Sequence, residues 1–148
     1  MSKVLEICIS NKFKNKIFNV KSINAIAGKG IVNDRYYKKN NDKIKQITLI
    51  ESENIDLYNK LSSENIHYID FRRNIITKDI DLNRLINRKL SIGNSIIIGH
   101  QLCEPCLDLQ LDLKQKELVK KLLHKGGLRA EIIKSGKIKI NDSIQLID

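Results

Sequence analysis

Apolar residues along this chain fall in short runs, most of them four to eight positions long, that alternate with polar ones or cluster as β-branched groups. The run Val4-Leu5-Glu6-Ile7-Cys8-Ile9 predicts a strand over Lys3 to Ser10, and Lys16 to Val20 predicts a second. The polar segment Asn11-Lys12-Phe13-Lys14-Asn15 between them reads as the turn of a hairpin. From Ser22 to Asn41 the pattern breaks, and Gly28, Gly30, Asn33 and Asp34 mark a long irregular loop. Loops of that length inside a domain usually carry function. Ile44 to Ile50 predicts a strand, followed by a helix from Glu53 to about Leu61 with Ser52 as its cap. Ser62 to His67 reads as a turn. Tyr68 to Thr77 then predicts a strand carrying Arg72 and Arg73, which would point to opposite faces, so that only one could face a given site.

Asp81 can cap a short helix over Leu82 to Ile86. Strands are expected at Lys89 to Ile92 and Ser95 to Ile98, and a helix from about Lys114 to His124 stopping at Gly126-Gly127. Leu128 to Lys134, Lys137 to Ile140 and Ser143 to Ile147 close the chain as strands. The segment Leu90-Ser91-Ile92-Gly93-Asn94-Ser95-Ile96 is echoed by Ile138-Lys139-Ile140-Asn141-Asp142-Ser143-Ile144. Each reads as strand, tight turn, strand, and two such corners suit a small closed or partly open barrel. The expected fold is mainly β, a β-rich α+β domain with two or three short helices, spanning residues 1–148 as a single unit.

Composition changes this picture only at its edges. A chain of 148 residues with 41% hydrophobic and 30% charged positions suits one soluble core. No apolar run approaches the roughly 20 residues a spanning helix needs, and Met1 to Asn11 has no signal-peptide pattern, so the expected location is the cytoplasm, with no membrane partner. Lys and Arg number 27 against 17 Asp and Glu, a net charge of +10 that would attract phosphate-bearing partners. A chain this rich in Ile, Lys and Asn spreads most of that charge over solvated faces. Aromatic residues make up only 5%, with no Trp, which argues against a nucleic-acid surface built on stacking.

The stretch with chemistry is Cys103-Glu104-Pro105-Cys106. Pro105 favours a first helical turn, and a cysteine at a helix start meets unsatisfied N–H groups that favour its thiolate. Such a thiolate could ligate a soft metal, attack an electrophile or carry a sulfane sulfur. A structural zinc site would need further ligands at regular spacing, and a thioredoxin-like pair would need a βαβ setting. On spacing alone, two half-buried cysteines with no role is the leading reading. Cys8, inside an alternating strand, reads as a small buried hydrophobe. Arg35, Arg72, Arg73 and Arg129 are suited to phosphate, and Asn74 could hydrogen-bond a ligand or a neighbouring strand.

Four blocks in order resemble the MOSC domain, the module named after the C-terminal part of molybdenum cofactor sulfurases. They are Gly30-Ile31-Val32-Asn33-Asp34-Arg35, then Gln46-Ile47-Thr48-Leu49-Ile50-Glu51, then Arg72-Arg73-Asn74-Ile75-Ile76-Thr77 with Ile80-Asp81-Leu82-Asn83. The last runs from Leu102-Cys103-Glu104-Pro105-Cys106 to Gly127-Leu128-Arg129-Ala130. The resemblance implies a MOSC-type β-barrel and binding of a pterin-type molybdenum cofactor (molybdopterin), with a tungsten analogue also possible. Cys106 matches the family's functional cysteine, as metal ligand or sulfur carrier. Arg35 and Arg72 or Arg73 would hold the cofactor's phosphate, with Asn74 and Arg129 beside them. The family commonly has Gly-Asp-Arg-His where this chain has Asn33-Asp34-Arg35-Tyr36. The implied function is cofactor or sulfur carriage for a molybdenum-cofactor biosynthesis or molybdoenzyme partner. The alternative is a molybdenum-dependent reductase of N-hydroxylated compounds fed by an external reductase.

Overall fold

In the computed structural model, which describes residues 1–11 and 16–148, the elements run β1 (Lys3–Ser10), β2 (Ile17–Val20), β3 (Ser22–Ile26), β4 (Gly30–Ile31), β5 (Ile47–Glu51), α1 (Ser52–Ser62), β6 (Ile75–Lys78), β7 (Lys89–Ile92) and β8 (Ser95–Leu102). They continue with α2 (Leu107–Asp112), α3 (Leu118–Lys121), β9 (Leu128–Lys134), β10 (Gly136–Lys139) and β11 (Ile144–Leu146). Two 3-10 turns, Tyr68–Phe71 and Leu82–Leu85, complete the list. The fold is mainly β, as expected. β1 and β2 pair antiparallel with Ser10 opposite Ile17, while the turn expected between them falls largely on residues 12–15, outside the described residues.

One sheet has the order β11-β7-β8-β9-β5-β6-β1-β2, and a second has β10-β3-β4. Among the described residues β5 and β6 form the only parallel ladder, and α1 lies in the crossover between them. Alternation along the strands divides two cores. Ile7, Leu49 and Ile75 point into one shared by both sheets, while Cys8, Ile50 and Ile76 point to another under the helices, with Ile55, Tyr58, Phe71, Leu109, Leu118 and Leu122. The second core therefore fixes α2 and α3 against β1, β5 and β6, beside the segment before β6 that carries Arg72 and Arg73.

The sheets are not closed into a barrel, which corrects that part of the expected fold. The outer side of β1 is divided: Ile7 to Ser10 pair with β2, and the N-terminal end meets the segment before β11 through a lone bridge, Lys3 to Ser143. The two echoed corners do exist, but differ in use. Gly93-Asn94 joins β7 to β8 as a hairpin, whereas Asn141-Asp142 passes the chain from one sheet to the other. They lie against each other, with Asn94 N donating to Lys137 O at 3.0 Å.

Local expectations fail in instructive places. The supposed loop from Ser22 to Asn41 begins with β3, whose Ile23 and Ala25 are buried in alternation, and includes β4. The strand expected over Tyr68 to Thr77 is a 3-10 turn, then Arg72 in the left-handed region at φ 62°, and only then β6. Ser52 lies inside α1 rather than capping it, because the chain turns at Glu51 and buries the Ser52 side chain. The helix expected over Lys114 to His124 is shorter, covering Leu118–Lys121, and a separate helix precedes it. Lys114 at φ 54° breaks the two apart.

Candidate functional site

The cysteine loop leaves the end of β8 and is pinned at both margins. Cys103 N donates to Gly127 O at 2.7 Å, and Gln110 N donates to Cys106 O at 3.2 Å as α2 begins. Cys106 is the N-cap of α2, and its Sγ accepts from Leu109 N at 3.4 Å. It is exposed, whereas Cys103 is 2% exposed, so the two thiols of the loop are unequal. The Glu104 carboxylate accepts from His124 N and pairs with His124 Nδ1, each at 2.7 Å, tying the loop to the turn after α3. Gly126 lies against the loop so tightly that a Cβ there would come within 2.3 Å of Cys103 O and 2.8 Å of Pro105 Cδ. Cys8 stands apart on β1, where burial first and Glu6 second push its thiol up to about 12.

The arginines arrive from three directions. Because Arg72 has positive φ, Arg72 and Arg73 do not alternate as on a strand, and both line one cavity. Arg72 Nη2 donates to Ser10 Oγ at 3.3 Å. Arg73 donates to three carbonyls: Nε to Gly126 O at 3.0 Å, Nη1 to Phe71 O at 3.1 Å, and Nη2 to Cys103 O at 3.2 Å. Asn74 spans two strands, accepting from Thr48 N at 3.0 Å and donating through Nδ2 to Cys8 O at 3.1 Å. Arg129, on β9 opposite Thr48, donates to Ile44 O at 3.3 Å.

Arg35 is placed by its neighbour. The Asp34 carboxylate accepts from Ser10 N at 2.8 Å, and Arg35 N donates to Ser10 O at 2.9 Å, which docks the loop after β4 on the end of β1. Burial raises the Asp34 carboxyl above its usual range, opposed by the N–H groups of Ser10 and Tyr36 and by the Arg35 charge. The Arg35 guanidinium lies 4.5 Å from the centroid of the Tyr36 ring. Its Nε is buried and has no hydrogen-bond partner among the described residues.

The cavity into which these groups converge has a volume of about 600 Å³. Arg35, Arg72, Arg73, Asn74, Arg129 and Cys106 all line it, so the residues expected from the sequence to form a site are brought together. Cys103 lines it as well. Lys45, Tyr36, Asp108 and Asp112 also line it and were not anticipated. Lys45 was hidden among many lysines. Asp108 and Asp112 had a usable signal, since they lie four residues apart just after Cys106, but only once that segment is read as helix.

The match to known families follows this geometry, with residues 37–145 matching the MOSC domain. The chain belongs to the MOSC domain family. Among solved structures it is similar to the YuaD protein from Bacillus subtilis, with a TM-score of 0.81 at 14% identity, covering 97% of this chain and 94% of that one. YiiM from Geobacillus stearothermophilus aligns with a TM-score of 0.78 at 13% identity, over 100% of this chain and 76% of that one. YiiM from Escherichia coli gives 0.71 at 15% identity, over 97% and 69%. At these identities the likeness is one of fold. No curated protein matches the chain.

MOSC domains are associated with the molybdenum cofactor, and the cavity of this one can be tested for fit. Its volume is in the range of small-molecule sites. The cations in its lining and the unpartnered Arg35 Nε suit an anionic group. Among the described residues no group of three or more His, Cys, Asp or Glu could hold a metal ion, so the protein offers a single exposed thiol rather than a cage. That donor set fits a metal carried by its own organic ligand better than a bare ion. No helix of the described residues is long and apolar enough to cross a membrane.

Proposed function

We propose that this MOSC domain binds a pterin-type molybdenum cofactor in the arginine-lined cavity and serves as a cofactor or sulfur carrier through Cys106. The observation that carries the reading is the convergence of an exposed cysteine, on a loop pinned to the protein at both ends, with Arg35, Arg72 and Arg129 in one cavity. Arg35 and Arg72 would grip the phosphate, and Cys106 would meet the metal or hold sulfur. When bound, the cofactor supplies a soft, thiophilic metal centre. The residues hold its anionic end, fix the direction of approach to the thiol, and keep Asp108 and Asp112 beside it.

Sulfur loading needs no outside oxidant. A donor persulfide passes its outer sulfur to Cys106, so that R–S–SH and Cys106–SH become R–SH and Cys106–S–SH. The proton balance is neutral, and one S–S bond forms as another breaks.

Asp108 and Asp112 favour a second reading, because reduction of an N-hydroxylated compound consumes protons and two carboxyl groups line the same cavity. The two separate in one experiment on protein purified anaerobically, with elemental and pterin analysis and intact-mass measurement. A mass gain of one sulfur atom that Cys106→Ser abolishes supports the carrier. Bound molybdenum, with turnover of a hydroxylamine when a reductase supplies electrons, supports the enzyme. Cofactor binding and sulfur loading both intact in Cys106→Ser would overturn the site.

A further inference from the structure

Two adjacent arginines enter the cavity, and the hydrogen bonds of Arg73 to three backbone carbonyls point to a task of its own. We infer that Arg73 is a positioning residue that clamps the cysteine loop, and that it leaves the anion to its neighbours. This deepens the proposed reading of the cavity and rests on it only for the anion arm of the test.

Arg73 spends its guanidinium on three carbonyls from three segments: Phe71 before it, Cys103 in the loop, and Gly126 in the turn after α3. Nε, Nη1 and Nη2 each have one of these bonds, at 3.0, 3.1 and 3.2 Å. A planar fork with five N–H donors can hold three acceptors at fixed angles, and a lysine cannot. The clamped carbonyls lie where the backbone is tightest. Cys103 O is the atom a Cβ on Gly126 would strike at 2.3 Å, and Cys103 N is already bonded to Gly127 O at 2.7 Å. The loop and the glycine turn thus form one body, with Arg73 as its third fastening. Cys106 stands only three residues further on, so the clamp sets where its sulfur meets the cavity. It also keeps Cys103 buried, which leaves Cys106 as the exposed thiol of the loop.

The test uses two probes on the full chain: iodoacetamide with site-resolved mass spectrometry, and inorganic phosphate measured by calorimetry. In the native protein alkylation should fall on Cys106 alone. Arg73→Lys keeps the charge but cannot make three directed bonds, so Cys103 labelling should rise about tenfold or more while phosphate affinity changes by less than about twofold. Arg72→Gln should do the reverse, weakening phosphate by about tenfold with Cys103 still protected. If Arg73→Lys leaves Cys103 protected, the clamp is overturned, whatever phosphate does. If Arg73→Lys weakens phosphate as much as Arg72→Gln, the division of labour is overturned. Should neither variant alter phosphate binding, the anion reading of the cavity fails, and Cys103 labelling still decides the clamp. Native protein provides a check that needs no variant. On addition of phosphate the Arg73 Nε–H resonance should stay protected and unshifted while that of Arg72 moves. A shift of Arg73 equal to that of Arg72 overturns the inference.

Discussion

At the scale of single residues, one titrating group outside the cavity ties stability to pH. Burial at the end of β5 pushes the Glu51 carboxyl up to about 7, with Asp81 and then Glu53 adding like charge and the Leu82 N–H opposing them. Its folded value stands above the usual 4.5, so the folded state binds this proton more tightly than the unfolded chain does. The associated stability is complete below about 4.5 and is lost as pH rises through about 7. Glu51→Gln keeps an oxygen for the Leu82 N–H and removes the charge. It should therefore raise the unfolding free energy measured in urea at pH 8, by on the order of 1 kcal/mol after allowing for solvent screening, and leave it unchanged at pH 4. An equal gain at both values would mean that packing, not charge, is responsible. Cys8 gives the complementary case. Its thiol, pushed up to about 12, should remain unlabelled by iodoacetamide at pH 8 until the protein unfolds.

At the scale of elements, the cysteine loop depends on a glycine that allows two strands to approach. Gly127 has φ +110°, and a Cβ there would lie 2.0 Å from Leu49 O, so a side chain must push β5 and β9 apart. Gly28 also has positive φ, at +75°, but nothing lies within 4 Å of its missing Cβ. Gly28→Ala should then cost only the backbone term, about 1 kcal/mol, while Gly127→Ala should cost about 3 kcal/mol or more by urea unfolding. It should also free the Cys103 N–H that Gly127 O holds. Equal costs would show that backbone strain alone sets the penalty. These elements explain why the sequence was only partly legible. Strands with clear alternation, such as Lys3–Ser10, read correctly. The segment Leu107-Asp108-Leu109-Gln110-Leu111-Asp112-Leu113 alternates at period two like a strand, yet its first six residues form α2 after the Cys106 cap, and of these only Leu109 is buried. The turn at Arg72 had no Gly or Asn to announce it. Its left-handed backbone is sustained by tertiary contacts, including the clamp by Arg73 on Cys103 and Gly126, that periodicity does not report.

At the scale of the whole molecule, the candidate site was legible because its members sit in ordered blocks, while the reason they meet lies in topology. The order β9-β5-β6-β1 sets Arg129, Thr48, Asn74 and Ser10 on successive strands or at their ends, and the second core brings α2 and its Cys106 cap against the same edge. The net charge of +10 is a property of a different kind, because most of it lies on lysines outside the cavity. The two should separate kinetically. Diffuse positive charge steers an anion toward the protein, and its effect is screened within about 10 Å at 0.1 M salt. Bidentate contacts to an anion held in the cavity would act after arrival and govern its escape. For pyrophosphate binding followed by stopped flow, raising salt from about 20 to 200 mM should slow association severalfold in the native protein and in Arg72→Gln alike. Arg72→Gln should speed dissociation by about tenfold at either salt. A substitution that altered association and left dissociation untouched would place Arg72 among the steering charges and move the anion site elsewhere. The same measurement bears on a nucleic-acid surface, for which affinity would fall steeply with salt for any oligonucleotide and would be indifferent to Arg72. Loss of pyrophosphate binding in Arg72→Gln without loss of oligonucleotide binding would show that the two kinds of charge serve different partners.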